Sequence, residues 1–280
     1  MPGARARRAA CVAAIALVAT SRPLAAQAGD DSWKNLVADA QHASADHDYA
    51  KAEQILLKAL HEAERFAADD WRVGVTLESL GQVWRAGKKL NDAEKALERS
   101  RDITAKANGE NSVEVANVNF ELAGVLLDSG RPADAAAAAR RALSAYESLR
   151  GGADTQTGDA LCVLGDSLRA MKNLPEAETA LKRCLNIRQG DGGLDTPRFA
   201  DALYSLALTY AGEAKYGLAE PRFVLAEKIR EKALGLTSPL LAQTFEDHAS
   251  VLKSMGREKE ASRLLLLASA IRRNEKRSRR

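Results

Sequence analysis

The sequence is short of the residues from which most active sites and metal centres are built. It has four histidines and three cysteines in 280 residues, and aromatic residues make up 5%. His42, His47 and His61 lie near one another, but no two of them stand four residues apart, as a helical metal site requires. We therefore predict that the chain is not an enzyme and that it holds no metal and no cofactor.

Long apolar runs are also scarce. The run from Ala9 to Ala19 follows Arg5, Arg7 and Arg8, and small residues suited to cleavage stand at 26–28. Eleven apolar residues are too few for a bilayer span, which needs ~20. We predict a signal peptide over 1–28, cleaved after Ala28, and an exported protein that is periplasmic or secreted. Retention of the segment as an anchor is the alternative.

The net positive charge of the chain depends on the predicted signal peptide. Residues 1–28 contain four arginines and no acid, so their removal turns the formal charge of +3 into −1. The remaining charge is polarised, because Arg272 to Arg280 contains six bases and one acid. We interpret 273–280 as a solvated basic tail that follows an array over 29–272. Membrane contact is expected only through this tail, and nucleic acid is not an expected partner after export.

Small residues, in contrast, are abundant and recur at a period of 42 residues. Three columns contain only Ala, Gly, Ser or Cys, and one of them is alanine throughout. Large apolar residues recur one helical turn away, as at Leu77, Leu161 and Leu203. Small residues let two helix backbones approach closely, so each unit is predicted to be a helix pair. The columns are Ala40, Gly81, Ala123, Gly165, Ala207 and Ala249; Ala52, Ala93, Ala135, Ala177, Ala219 and Ala261; and Ala59, Ser100, Ala142, Cys184, Ala226 and Ala268.

The unit boundaries repeat as well. A residue with a side-chain oxygen recurs where each pair begins, and a glycine stands three residues before it, which is typical of a helix start after a helix end. The oxygens belong to Asp70, Ser112, Asp154, Thr196 and Ser238, and the glycines are Gly109, Gly151, Gly193 and Gly235. These signals predict an all-α, right-handed superhelix of six antiparallel helix pairs, at about 33–66, 71–107, 112–150, 155–189, 197–233 and 239–272.

At this point a family resemblance can be stated. The stretches 202–210, 215–220, 229–235 and Ser238-Pro239 resemble the 42-residue tetratricopeptide variant found in kinesin light chains and many bacterial proteins. The resemblance covers 33–272 and implies an α-solenoid that binds other proteins. In arrays of this family the first helix of each pair lines the concave side.

The resemblance therefore assigns a partner-binding groove. Its columns contain more acids than bases, with a sum of about −4, and two aromatic residues that could anchor a ligand. We expect a protein or peptide partner with a basic or strongly polar segment. The groove residues are Glu78, Gln82, Arg85, Asn117, Phe120, Glu121, Asp159, Asp166, Arg169, Asp201, Tyr204, Ser205, Gln243, Glu246 and Asp247.

A second surface is predicted where the array ends. Outward places of the second helix hold charged pairs in units two to four, but Val224 with Leu225 and Leu266 with Leu267 in units five and six. A terminal repeat normally has a polar cap, so these residues predict an association surface, for a homodimer or a docked partner. Folding back of the tail over them is the alternative.

Two questions stay open at the level of sequence. Cys162 and Cys184 fall at similar height on the two helices of one unit, and are either buried thiols or an intra-repeat disulfide. The favoured function is a non-catalytic protein-interaction scaffold of the bacterial cell envelope. The alternative is a regulatory or accessory subunit that binds a small molecule or metal in the groove.

Overall fold

The computed structural model describes residues 24–278, except for the side chains of 24–28, 191–192 and 275–278. This part of the chain forms twelve helices and contains no strand. The helices are α1 (Leu24–Ala45), α2 (Tyr49–Glu64), α3 (Trp71–Ala86), α4 (Leu90–Asn108), α5 (Val113–Asp128), α6 (Pro132–Arg150), α7 (Thr155–Ala170), α8 (Leu174–Gly192), α9 (Pro197–Gly212), α10 (Tyr216–Leu234), α11 (Pro239–Ser254) and α12 (Glu258–Ser278).

The helices pack in six consecutive antiparallel pairs, which we number units one to six. Each odd-numbered helix packs most closely on the even-numbered helix that follows it. The odd-numbered helices also contact one another from unit two onward, which makes them the inner row of a curved array. We call them the inner helices and the even-numbered ones the outer helices. The predicted all-α solenoid is confirmed.

The small-residue columns lie where paired helices approach most closely. All six residues of the alanine column are fully buried. A Cβ on Gly81 would stand 2.5 Å from Cγ of Leu97, and one on Gly165 would stand 2.5 Å from Cγ of Leu181. Cβ atoms do not approach carbon this closely, so the leucines of the outer helices fill the space that glycine leaves. The 42-residue period is thus a packing period.

Four of the five predicted capping side chains act as predicted. The side chains of Asp70, Ser112, Asp154 and Thr196 each accept a hydrogen bond from a backbone amide in the first turn of the next helix. Ser238 precedes α11 without such a side-chain bond. Gly109, Gly151, Gly193 and Gly235 have φ of 89°, 79°, 84° and 81°, which only glycine adopts without strain.

The turn inside each pair has a second left-handed column, which the sequence analysis missed. Its members follow the inner helix at one repeat position, and most are not glycine. The next residue's amide donates back to a carbonyl five residues earlier, for example Lys215 to Tyr210 at 2.9 Å, which closes a Schellman motif. The column is His47, Lys88, Gly130, Lys172, Ala214 and Gly256, with φ between 57° and 76°.

Neighbouring outer helices are joined by ion pairs. A base just before one outer helix bonds a glutamate of the preceding outer helix in four of the five junctions. The remaining junction, between α6 and α8, has Ala136 and Asn173 at these places. Arg140 and Glu176, 2.6 Å apart, form an ion pair there instead. The four pairs are Lys89 with Glu53 (2.7 Å), Arg131 with Glu94 (2.5 Å), Lys215 with Glu178 (2.9 Å) and Arg257 with Glu220 (2.7 Å).

The ends of the array bear on two sequence predictions. Residues 1–23, most of the predicted signal peptide, lie outside the described residues, and α1 begins at Leu24, before the predicted cleavage point. Cleavage stays a prediction. At the other end α12 continues to Ser278, so most of the segment interpreted as a tail extends a helix. None of the described helices combines the length and apolar character needed to cross a membrane.

Cys162 and Cys184 form a disulfide. Their Cα atoms lie 5.5 Å apart, with Cys162 on α7 and Cys184 on α8. Both side chains are buried, and Cys184 occupies the third small-residue column. Of the two alternatives for these cysteines, the intra-repeat bridge is the one present.

Candidate partner-binding groove

The fifteen predicted groove residues all lie on inner helices, on α3, α5, α7, α9 and α11. Their side chains meet across unit boundaries as well as within units. Gln82 Nε2 donates to Glu121 Oε1 at 3.0 Å, and Gln156 Nε2 donates to Asn117 Oδ1 at 2.9 Å. The inner row therefore presents a continuous polar surface. The structure also shows which of its charges are already paired.

In each of units four to six an arginine from the outer helix pairs with one acid of the groove. Arg188 bonds Asp159 at 2.9 Å, and Arg230 bonds Asp201 at 2.7 Å. In unit six the Arg272 guanidinium lies 3.1 Å from Glu246 and 3.2 Å from Gln243. The expected charge of about −4 counted inner-helix residues only. In these units, arginine side chains long enough to reach from the paired outer helix add positive charge that this sum does not include.

Tyr204 is held within this network. Its hydroxyl donates to Asp247, which also accepts from Gln243 Nε2 at 3.0 Å. The Arg230 guanidinium stacks 4.4 Å from the centre of the Tyr204 ring. A cation on the ring face leaves little of that face for a ligand. Phe120, which is half-buried against the core of units two to five, is the more open of the two predicted aromatic anchors.

The acids of units two and three are differently placed. Glu78 is half-buried, and within the described residues it makes no hydrogen bond or ion pair. Burial, together with the charges of Glu121 and Glu114, raises the pKa of Glu78 to about 8. Burial also raises the pKa of Glu121, against the opposing effects of Arg85 and Gln82. Glu78 thus lacks a counter-charge that would favour its ionised form.

Arg85 sits at the edge of this region. Its Nε donates to Asp128 Oδ2 at 2.9 Å, and its Nη1 lies 3.9 Å from Glu121 Oε2. The guanidinium lies directly on Gly124, where any side chain would collide with it. A shallow concavity of about 460 Å³ opens beside Gln82, Arg85 and Glu121. Arg85 compensates Glu121 only in part and leaves Glu78 uncompensated.

The middle of the groove is more self-contained. Asp166 bonds Arg169 at 3.3 Å, and burial raises the pKa of Asp166 despite Arg169 and a hydrogen bond with Ser205. Ser205 is itself buried, so its hydroxyl serves Asp166 and is not open to a ligand. Asn117 accepts from Tyr146 Oη at 2.8 Å. These residues connect units and are poor candidates for direct partner contacts.

The residues that sequence reasoning missed form a column of their own. Tyr146, Arg188, Arg230 and Arg272 recur every 42 residues, and each contacts the inner helix of its own unit. Their period was visible in the sequence. The direction in which these side chains point could not be predicted, because a residue near the end of the outer helix can equally face solvent.

Groups of acids, histidines and cysteines do not converge in a way that suggests metal chemistry. No set of three or more of these residues within the described part of the chain could hold a metal ion. His47 lies in the turn of unit one, where its Nδ1 is 3.0 Å from the Tyr49 hydroxyl. The groove can supply partner recognition through charge, hydrogen bonds and Phe120.

The second predicted surface lies on the outer side of the last two units. Val224 and Leu225 belong to α10, and Leu266 and Leu267 belong to α12. All four are exposed, at 49%, 40%, 68% and 52%. The described residues therefore do not cover this surface.

The sequence of the central units matches a known protein family. The family model of the tetratricopeptide repeat matches residues 72–148 and 114–190. Residues 72–190 are thus tetratricopeptide repeats. No curated protein sequence matches the chain. Its likeness to solved structures is one of fold.

Three solved structures illustrate that fold. BtubC (BKLC) from P. vanneervenii is 19% identical, with 74% of this chain and 89% of that one covered and a TM-score of 0.60. TPR-like repeats from Podosopora anserina, named for the kinesin light chain, are 16% identical, with coverage of 71% and 94% and a TM-score of 0.59. A Rap protein complexed with competence and sporulation factor is 16% identical, with coverage of 87% and 75% and a TM-score of 0.60. The tetratricopeptide units thus have the fold of kinesin-light-chain-like arrays.

Proposed function

We propose that the protein is a non-catalytic scaffold of the cell envelope that holds a basic or strongly polar segment of a partner protein in its concave groove. Tetratricopeptide repeats support binding of a protein partner, and a Rap protein of similar fold was solved with competence and sporulation factor. The proposal rests on one observation above all. Glu78 is half-buried beside Glu121 and has no cationic partner within the described residues.

A lysine or arginine of the partner would supply the missing charge. Because a nearby cation favours the ionised carboxylate, binding would lower the pKa of Glu78 and release its proton. Phe120, on the same inner helix as Glu121, would contribute apolar contact area. In units four to six, arginines from the outer helices already pair with Asp159, Asp201 and Glu246, so we place the main contacts in units two and three.

Paired substitutions test this assignment. We expect Glu78→Gln with Glu121→Gln to weaken association with a labelled lysine- and arginine-rich peptide by about tenfold, since the two lost charge contacts together are worth roughly 1.4 kcal/mol. Glu98→Gln with Glu110→Gln changes the same charge at exposed sites outside the groove and is the matched control. Fluorescence anisotropy at several salt concentrations measures both. Equal affinity and equal salt dependence in the two variants would refute the groove assignment.

Export is tested separately. The proposal expects the mature protein in the periplasmic or secreted fraction, with an intact mass lower by residues 1–28. Mass spectrometry of fractionated cells measures this. A full-length chain in the cytoplasmic fraction would contradict the proposed location without affecting the groove.

A further inference from the structure

The outer surface of the array changes character between units four and five. In units two to four the two outward places hold charged residues that join neighbouring outer helices. Arg99 lies 2.9 Å from Glu64, and Arg183 lies 2.5 Å from Glu147. In units five and six the same places hold Val224 with Leu225 and Leu266 with Leu267. An ion-pairing position has thus become apolar in two successive units.

These apolar residues do not pack into the protein. Leu266 is 68% exposed, more than any other large apolar residue of the described chain. Leu218, also on α10, is exposed as well. Arg257 joins α12 to Glu220 of α10, so the two outer helices lie side by side where α12 begins. The exposed apolar residues of α10 and α12 thus lie on the outer side of two neighbouring units, and we call them the outer surface of α10 and α12.

Exposed bases flank Leu266 along α12, although exposed acids also occur on both helices, at Glu231, Glu258 and Glu260. Lys259 and Arg263 precede Leu266 on α12 by about two turns and one turn, and Arg273 follows it by about two turns. All three are exposed, as is Lys228, one turn after Val224 and Leu225. The sequence then ends with four more bases at 276–280. Leucines flanked by cations along an exposed helix are typical of helices that lie on a lipid surface.

We propose that the outer surface of α10 and α12 docks on an anionic lipid bilayer, with Leu266 and Leu267 entering the headgroup region and the flanking bases contacting lipid phosphates. The charge of the surface identifies the occupant. A second copy would bring like charges together, and a few exposed side chains bury far less than the ~1,200 Å² of a stable dimer. A helix of a protein partner needs a groove, whereas this surface is convex.

Vesicle binding of the full chain tests the proposal. We expect flotation with vesicles of phosphatidylcholine and phosphatidylglycerol to exceed that with phosphatidylcholine alone. Leu266→Ser with Leu267→Ser should weaken the anionic binding by at least about tenfold. Arg263→Gln or Arg273→Gln should weaken it by about fivefold each and should remove part of its salt dependence. All variants keep the same N-terminal segment, so its contribution cancels.

The sequence offers a matched control. Leu57 of α2 occupies the place of Leu266 in unit one and is 46% exposed, but lacks the surrounding cluster of bases. Leu57→Ser should leave vesicle binding unchanged. Circular dichroism checks that each variant remains folded, as expected for exposed sites.

A local probe separates insertion from general adsorption. The three native tryptophans all lie in units one and two. Leu266→Trp should therefore add emission that brominated phosphatidylglycerol quenches, and Leu57→Trp should not. Equal binding by wild type and the Leu266→Ser and Leu267→Ser variant would overturn the proposal. So would a fall in solution mass of that variant, because it would show that a second copy covers the surface.

Discussion

Four non-glycine residues in the turns inside helix pairs have a strained left-handed backbone, which a substitution by glycine would relieve. Ala214 has φ of 57° at a repeat position where Gly130 and Gly256 also occur. A left-handed conformation costs an L-residue roughly 1 to 2 kcal/mol, and glycine avoids this cost at some expense in unfolded-state entropy. The four non-glycine residues of the column were not predicted for that reason, since glycine is the signal that reveals such turns.

We predict that Ala214→Gly raises the free energy of unfolding by about 0.5 to 1 kcal/mol. Chemical denaturation measures the change. Ala137→Gly is the control, because Ala137 is exposed within α6 and its loss should cost about 1 kcal/mol. Destabilisation of the same size at both positions would mean that the left-handed turn imposes no cost.

Glu78 makes stability depend on pH in an unusual direction. Its folded-state pKa of about 8 exceeds the ordinary glutamate pKa of 4.5, so the folded protein holds the proton over a range where the unfolded chain has lost it. The free energy of unfolding should therefore fall as pH rises from about 5 to about 8. Glu78→Gln should reduce that fall by roughly 1 to 3 kcal/mol, as measured by urea denaturation at both ends of the range. Identical slopes in the two proteins would contradict the prediction.

Helix pairs are the elements that the sequence predicts best. Close approach of two helix backbones requires small residues on both helices. The same repeat position is therefore small in every unit, and this pattern is visible in the sequence alone. Capping residues and glycines mark helix ends for equally local reasons. The groove was predicted less well. Whether Arg230 reaches Asp201 depends on the height and rotation of one helix against the other, and a repeat period contains neither quantity.

We expect Gly165→Ala to lower the free energy of unfolding by about 1 to 3 kcal/mol. The added methyl would overlap Leu181, and overpacking a helix contact forces both backbones to shift. Gly217→Ala on α10 meets nothing within 4 Å and should be neutral or slightly stabilising. Thermal unfolding of the two variants measures the difference. Equal effects would show that the helices can separate freely at this contact.

The disulfide between Cys162 and Cys184 should stabilise the folded protein. It joins the two helices of unit four, in the middle of the array. It closes a segment of 22 positions, for which restriction of the unfolded chain contributes about 3 kcal/mol. Cys184→Ala with Cys162→Ala should therefore melt at a lower temperature than the oxidised wild type and should not respond to dithiothreitol, whereas the wild type should.

Thiol counting on the unfolded, non-reduced protein checks the same bond. A mature chain without residues 1–28 should contain no free thiol, and a retained signal segment would add one from Cys11. Two additional thiols would contradict the bridge.

The packing of each helix only against its near neighbours also determines the order in which the molecule can assemble. Hydrogen bonds between units, such as those of Gln82 with Glu121 and Tyr204 with Asp247, join residues 39 and 43 positions apart. Closing such short loops costs little entropy, so a unit can fold as soon as its own residues and those of the unit before it are available. A chain that emerges amino terminus first would complete the acidic groove of units two and three early. It would complete the leucine-bearing surface of α12 last, so that the proposed partner site would form before the proposed membrane-docking surface.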